Sequence, residues 1–126
     1  SVAISKVLIW LEKNSSKGDT LLAYGKISIF NFLLKLPGVF DYPWPSYMPT
    51  LEFSNKINFL KLNGNLPKFI TFPLVDIDSS GWPSGENESN VFNTKNMDIL
   101  KKEIDEHYYQ GFISDEFVVY VKHGSK

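Results

Sequence analysis

Neither cysteine nor arginine occurs in this chain of 126 residues. Without cysteine there is no thiol nucleophile, no disulfide and no thiolate-held metal, and a reducing compartment suits the composition. Without arginine all thirteen basic residues are lysines. The planar fork that grips phosphate or guanine with two bonds is therefore missing, and only point-charge contacts remain. Charge of one sign is also scarce: thirteen basic against fourteen acidic residues leave a net charge of −1, too little to draw in nucleic acid by a global field. No apolar run nears the roughly 20 residues that span a bilayer, and residues 1–10 lack the apolar core of a signal peptide. The expectation is a cytoplasmic protein without membrane contact.

What the chain does have is apolar and aromatic bulk, at 43% and 15% of its residues. That is far from the composition of disordered chains, so a packed core is expected. The length suits one domain, residues 1–126, able to bury about two thirds of the surface its unfolded form exposes.

Residues 4–13, "ISKVLIWLEK", are rich in β-branched and aromatic types and predict a strand. "NSSKGD" breaks the pattern, and residues 20–31 resume it, which predicts a first β-hairpin. Residues 32–55 carry prolines at 37, 43, 45 and 49 among several aromatics. Proline removes a ladder donor and restricts its predecessor, so this segment reads as an insertion, neither helix nor central strand. "KINFLKL" and "KFITFPLV" flank Asn63-Gly64, whose preference for positive φ predicts a second hairpin. Residues 76–92 read as a polar loop. Residues 94–110 read as a helix with a stripe of Met97, Leu100, Ile104 and Tyr108, opened by an Asn93 or Thr94 cap and stopped by Gly111. Residues 112–122 read as a last strand. The expected fold class is α+β: an antiparallel sheet built from two β-hairpins, one amphipathic helix packed on it and a final strand.

Candidate chemistry is sparse. Asp76, Asp78, Ser80 and Gly81 match the first half of a calcium loop, but Asn87 stands where the bidentate glutamate belongs, so a solvated loop is the better reading. His107 lies beside Glu103 and Glu106 on the helix's polar edge, where ion pairing accounts for it, and His123 lies near the end of the sequence. No phosphate-binding glycine loop or nucleophile elbow is present. The expectation is a protein that is not an enzyme, with no catalytic residues, no metal and no cofactor.

The proline-rich insertion offers more. Phe40, Tyr42, Trp44, Tyr47 and Phe53 form a semi-rigid aromatic segment suited to stacking unpaired bases or to docking on a protein. For nucleic acid, single-stranded DNA or RNA, Lys17, Lys26, Lys61 and Lys68 are the candidate phosphate contacts, with Trp44 and Tyr47 stacking. For a protein partner, Phe40, Tyr42, Trp44 and Met48 are the candidate interface. Homodimerisation through a sheet edge is a further expectation.

The run "INFLKLNGNLPKFITFP" resembles the signature of the stage V sporulation protein G family, the septation regulators, in which a strand enters a glycine turn and an apolar strand ending in proline. Gly64, Phe69 and Pro73 fall at comparable places, followed by a polar loop and an amphipathic helix; "KVLIWLEK" to "LLAYGKISI" is similar too. The resemblance implies a small α+β protein that dimerises by extending its sheet and binds DNA or RNA as a regulator. Asn63 stands where the family has a glutamate, and Val75, Asp76 and Asp78 replace its basic residues after the proline.

Overall fold

The structure, a computed structural model, describes residues 2–25, 29–39, 45–74 and 94–124. Val2–Asn14 is helix α1, not the strand its composition predicts. Ala3, Val7 and Leu11 are buried along one side of it, and spacing of four residues places them on one helical face. Ile4, Leu8 and Trp10 pack against the same core. Burial of that stripe outweighs a β preference that spans only about 1 kcal/mol. The helix ends where the Asn14 amide donates to the Trp10 carbonyl at 2.8 Å, and Gly18 turns the chain at a φ of 92°.

Strand β1 is short, Leu21–Ala23, and pairs in parallel with β2, Phe69–Pro73. Parallel neighbours cannot be joined by a tight turn. The intervening chain accordingly builds helix α2 (Ile29–Leu34), a 3-10 turn (Pro45–Tyr47) and helix α3 (Thr50–Leu62). "KINFLKL" is thus helical. Pro49, in the segment expected to exclude helix, is the N-cap residue of α3, a place where a missing N–H breaks no helical bond. Gly64 does take the expected positive φ, 69°. It closes a helix, however, with the N–H groups of Asn63, Gly64 and Asn65 donating to the carbonyls of Phe59, Lys61 and Leu60.

Helix α4, Thr94–His107, matches the predicted helix, and Leu100 and Ile104 of its stripe are buried. It stops at His107 and not at Gly111. Tyr108 opens strand β3 (Tyr108–Ile113), which turns at Ser114 into β4 (Phe117–Lys122). The Ser114 Oγ accepts the N–H groups of Glu116 and Phe117 and holds that turn. This hairpin replaces the expected helix end and single last strand, and neither predicted hairpin is present among the described residues. Gly111 sits at an irregularity in β3 between Gln110 and Phe112. Its need to be glycine is steric, because a Cβ there would lie 2.7 Å from Val121 Cγ2 and 2.9 Å from the Trp10 ring.

The sheet runs β1-β2-β4-β3, parallel at β1/β2 and antiparallel elsewhere. The class is α+β as expected, but the sheet is mixed and is covered on both faces. Alternate residues feed two cores. Leu21, Ala23, Phe69, Phe117, Val119 and Val121 meet α1 and Phe30 of α2. Leu22, Ile70, Phe72 and Val118 meet Phe53 and Ile57 of α3 and Leu100 and Ile104 of α4. Strands buried on both sides read as unbroken apolar runs, which is how "LLA" and "FVVYV" appear. Asn96, fully buried, donates to the Pro45 and Met48 carbonyls and so anchors the first turn of α4 to the 3-10 turn.

Candidate functional site

Helices α1 and α3 lead through loops to the first residues of β1 and β2, and α4 runs directly into β3. Because β3 and β2 both lie antiparallel to β4, all three helices end at one edge of the fold, where β4 also ends at Lys122. Helix C-termini present unpaired carbonyls and a partial negative charge that favours cations nearby. Lys17, Lys61, Lys68, Lys122, His107 and His123 all fall at this end. Between them lie two adjoining hollows. One, of about 390 Å³, is bounded by Asp19, Thr20, Asn65, Lys68 and Lys122, and the other, of about 240 Å³, by Lys61, Glu106, His107, Lys122 and His123.

The lysines here are largely committed. Lys68 pairs with Asp19 at 3.3 Å with both side chains mostly buried, and the ring of Phe69 lies under its ammonium at 5.2 Å. Lys61 pairs with Glu103 at 3.1 Å. Lys122 donates to the Leu66 carbonyl at 3.2 Å. Of the described residues expected to contact nucleic acid, Lys17 and Lys61 are exposed, Lys17 in the turn after α1. Tyr47 is half-buried on the 3-10 turn. Lys26 and Trp44 lie outside the described residues.

Glu103, Glu106 and His107 share the last turn of α4, and their nearest ligand atoms lie within 4.8 Å of one another. The expected pairing of His107 is present: its Nε2 is 3.6 Å from Glu103 Oε1 and 3.8 Å from Glu106 Oε2. Glu103 is the unusual member, with a side chain only 6% exposed. Lys61 holds one oxygen, while the buried Oε1 takes no hydrogen bond from the described residues. Next along the chain, the Tyr108 hydroxyl donates to the Pro67 carbonyl. Burial, with Glu103 nearby, pushes that hydroxyl well above the ordinary tyrosine range, and burial beside Asp98 does the same to Tyr24.

Of the expected protein interface, Met48 is packed in the second core and offers no surface, whereas Phe40 and Tyr42 lie outside the described residues, as do Asp76, Asp78 and Ser80. The last strand, β4, is interior to the sheet and the first predicted strand is helical, so neither provides an edge. The outer side of β1 is occupied as well: Leu21 N–H donates to the Pro37 carbonyl and the Asn31 amide donates to the Leu21 carbonyl. The open edge is β3, whose irregularity at Gly111 discourages pairing with another sheet.

Among the described residues, large apolar side chains are exposed at Val2 and Ile9 of α1, at Phe32 and Leu33 of α2, and on α3. This helix buries Phe53, Ile57 and Leu60, yet exposes Leu51, Phe59 and Leu62 on its other side. Leu60 is 7% accessible and Leu62, two residues on, is 86% accessible. Reading the segment as a strand concealed this stripe; the signal was the helical spacing of Leu51, Asn55, Asn58 and Leu62 at i, i+4, i+7 and i+11. No family model, no curated protein and no solved structure matches this chain.

Proposed function

We propose that the chain is a non-enzymatic protein-interaction module whose contact surface is the outer face of α3 and whose partner is a second copy of itself. The observation that carries this reading is that α3 is apolar on both sides, so that one side serves the core and the other is left for a partner. Its sequence is self-complementary about a point between Lys56 and Ile57. With two α3 helices laid antiparallel, Leu51 meets Leu62 of the second copy and Asn55 meets Asn58. Such an arrangement is isologous, each contact occurring twice.

A helix of 13 residues is about 20 Å long, so the contact falls in the small, transient class, below about 1,200 Å². Association is therefore weak and concentration-dependent. Sedimentation velocity from about 5 to about 500 μM, a range matched to micromolar affinity, tests it: the average sedimentation coefficient rises with concentration, Leu62→Gln suppresses the rise and Leu51→Gln weakens it. A monomer throughout the range, or association indifferent to Leu62→Gln, overturns the proposal.

Contact with nucleic acid has Lys17 and Lys122 to draw on, but phosphate would have to compete with Asp19 for Lys68 and with Glu103 for Lys61. Tryptophan quenching by single-stranded DNA or RNA that weakens with added salt would restore that reading in place of the protein-binding one.

A further inference from the structure

We propose that Glu103, Glu106 and His107 form a binding site for a single divalent ion of the zinc class. Four observations converge on it, beginning with the donor set. One imidazole and two carboxylates are borderline nitrogen and oxygen ligands, which suit zinc and neighbouring transition ions more than magnesium. A tetrahedral ion with bonds of about 2.0–2.1 Å holds its ligand atoms about 3.3 Å apart. His107 Nε2 already lies 3.6 Å from Glu103 Oε1 and 3.8 Å from Glu106 Oε2. Small side-chain rotations close the remaining gap.

The second observation is Glu103 Oε1 itself. It is a buried carboxylate oxygen that faces the imidazole and accepts no hydrogen bond from the described residues, a costly state for a polar atom. A bound ion supplies the missing partner. Third, Lys61 holds the opposite oxygen at 3.1 Å. A lysine near a metal is ordinarily unfavourable, but here it acts as the outer partner that fixes the carboxylate and leaves one oxygen directed at the ion. Fourth, the site lies on the last turn of α4, where the helix's partial negative charge favours a cation. His123, whose N–H donates to the His107 carbonyl at 2.8 Å, lines the same hollow as Glu106 and His107 with its ring against Tyr109, which leaves the fourth position to water. The groups facing the ion from other elements are then Lys61 of α3 and Lys122 and His123 at the end of β4.

Isothermal titration of the tag-free chain with zinc chloride, and separately with magnesium chloride, decides the matter. The expected result is one equivalent of zinc bound and no magnesium, with the melting temperature raised by zinc. His107→Ala, a change at a half-exposed position, weakens zinc binding by at least about tenfold in a metal-free variant that circular dichroism shows to be folded. Glu106→Gln weakens it too, and Asp115→Asn, in the turn at the opposite end of β3 and β4, does not. No heat of binding at about 100 μM zinc, far above the concentration a three-ligand site requires, overturns the proposal. So does zinc bound equally by His107→Ala, which would make the metal adventitious.

Discussion

Replacing Lys61 tests what that lysine is for. If it were held in reserve for phosphate, its loss would cost little stability. The geometry requires the opposite, because Lys61 is the ammonium partner of Glu103, whose side chain is 6% exposed against 37% for Lys61. Removing one partner of a fully buried pair costs about 3–5 kcal/mol, since a bare charge is left behind. An exposed pair is worth about 0–1 kcal/mol. This pair lies between those limits, with water able to reach the lysine end, so Lys61→Ala should cost about 2 kcal/mol. At this chain length that corresponds to a melting temperature lower by about 8 °C. Glu103→Gln should cost less, about 1 kcal/mol, because it strands only an ammonium that water can solvate and keeps an oxygen to accept its hydrogen bond. Combining Lys61→Met with Glu103→Leu should return stability close to the original, as removing both charges removes both desolvation costs. Urea denaturation of the four proteins gives the three stability differences. If Lys61→Ala costs no more than Glu103→Gln, the idea that Glu103 depends on Lys61 is wrong.

Two further outcomes follow from the packing. Gly111→Ala places a Cβ 2.7 Å from Val121 Cγ2 and 2.9 Å from the Trp10 ring; overpacking of this kind costs about 1–3 kcal/mol, so the melting temperature should fall by about 4–10 °C, and an unchanged melt would show that α1 moves aside freely. At alkaline pH the Tyr24 and Tyr108 hydroxyls, held protonated by burial, should resist ionisation after the other tyrosines have titrated. Below about pH 10, the ordinary tyrosine value, their contribution to stability is complete. Above it the unfolded chain ionises and the folded one does not, so stability declines as pH rises. Ultraviolet titration of tyrosinate, with urea melts at about pH 9 and about pH 11, would contradict this if all six tyrosines ionised together in the folded state.

Some of the candidate chemistry was visible before any fold was known. Glu103, Glu106 and His107 recur at helical spacing within the most strongly patterned stretch of the chain, so their proximity on one turn was legible. The burial of Glu103 was not, because its partner Lys61 comes from a helix 42 residues earlier. The lysines were visible as a set, but not that Asp19 and Glu103 engage two of them. The apolar face of α3 was hidden by a mistaken period: with leucine, isoleucine and phenylalanine on two sides of the helix, the stripe that marks an amphipathic helix is blurred, and β-branched content took its place as the signal.

An α+β composition with a substantial core, helix α4, the strand at Phe69–Pro73 and the left-handed turn at Gly64 were all legible from local periodicity or backbone chemistry. That Val2–Asn14 and Thr50–Leu62 are helices follows from long-range packing. Runs such as "VAISKVLIWL" and "KINFLKL" satisfy either a strand buried on both faces or a helix with a broad apolar side. The choice falls to the sheet: its parallel β1/β2 pair needs helical crossovers, and its two apolar faces need covering. The same arrangement brings three helix ends, four lysines and two histidines to one edge of the fold, where no residue knows its neighbours until the strands are paired.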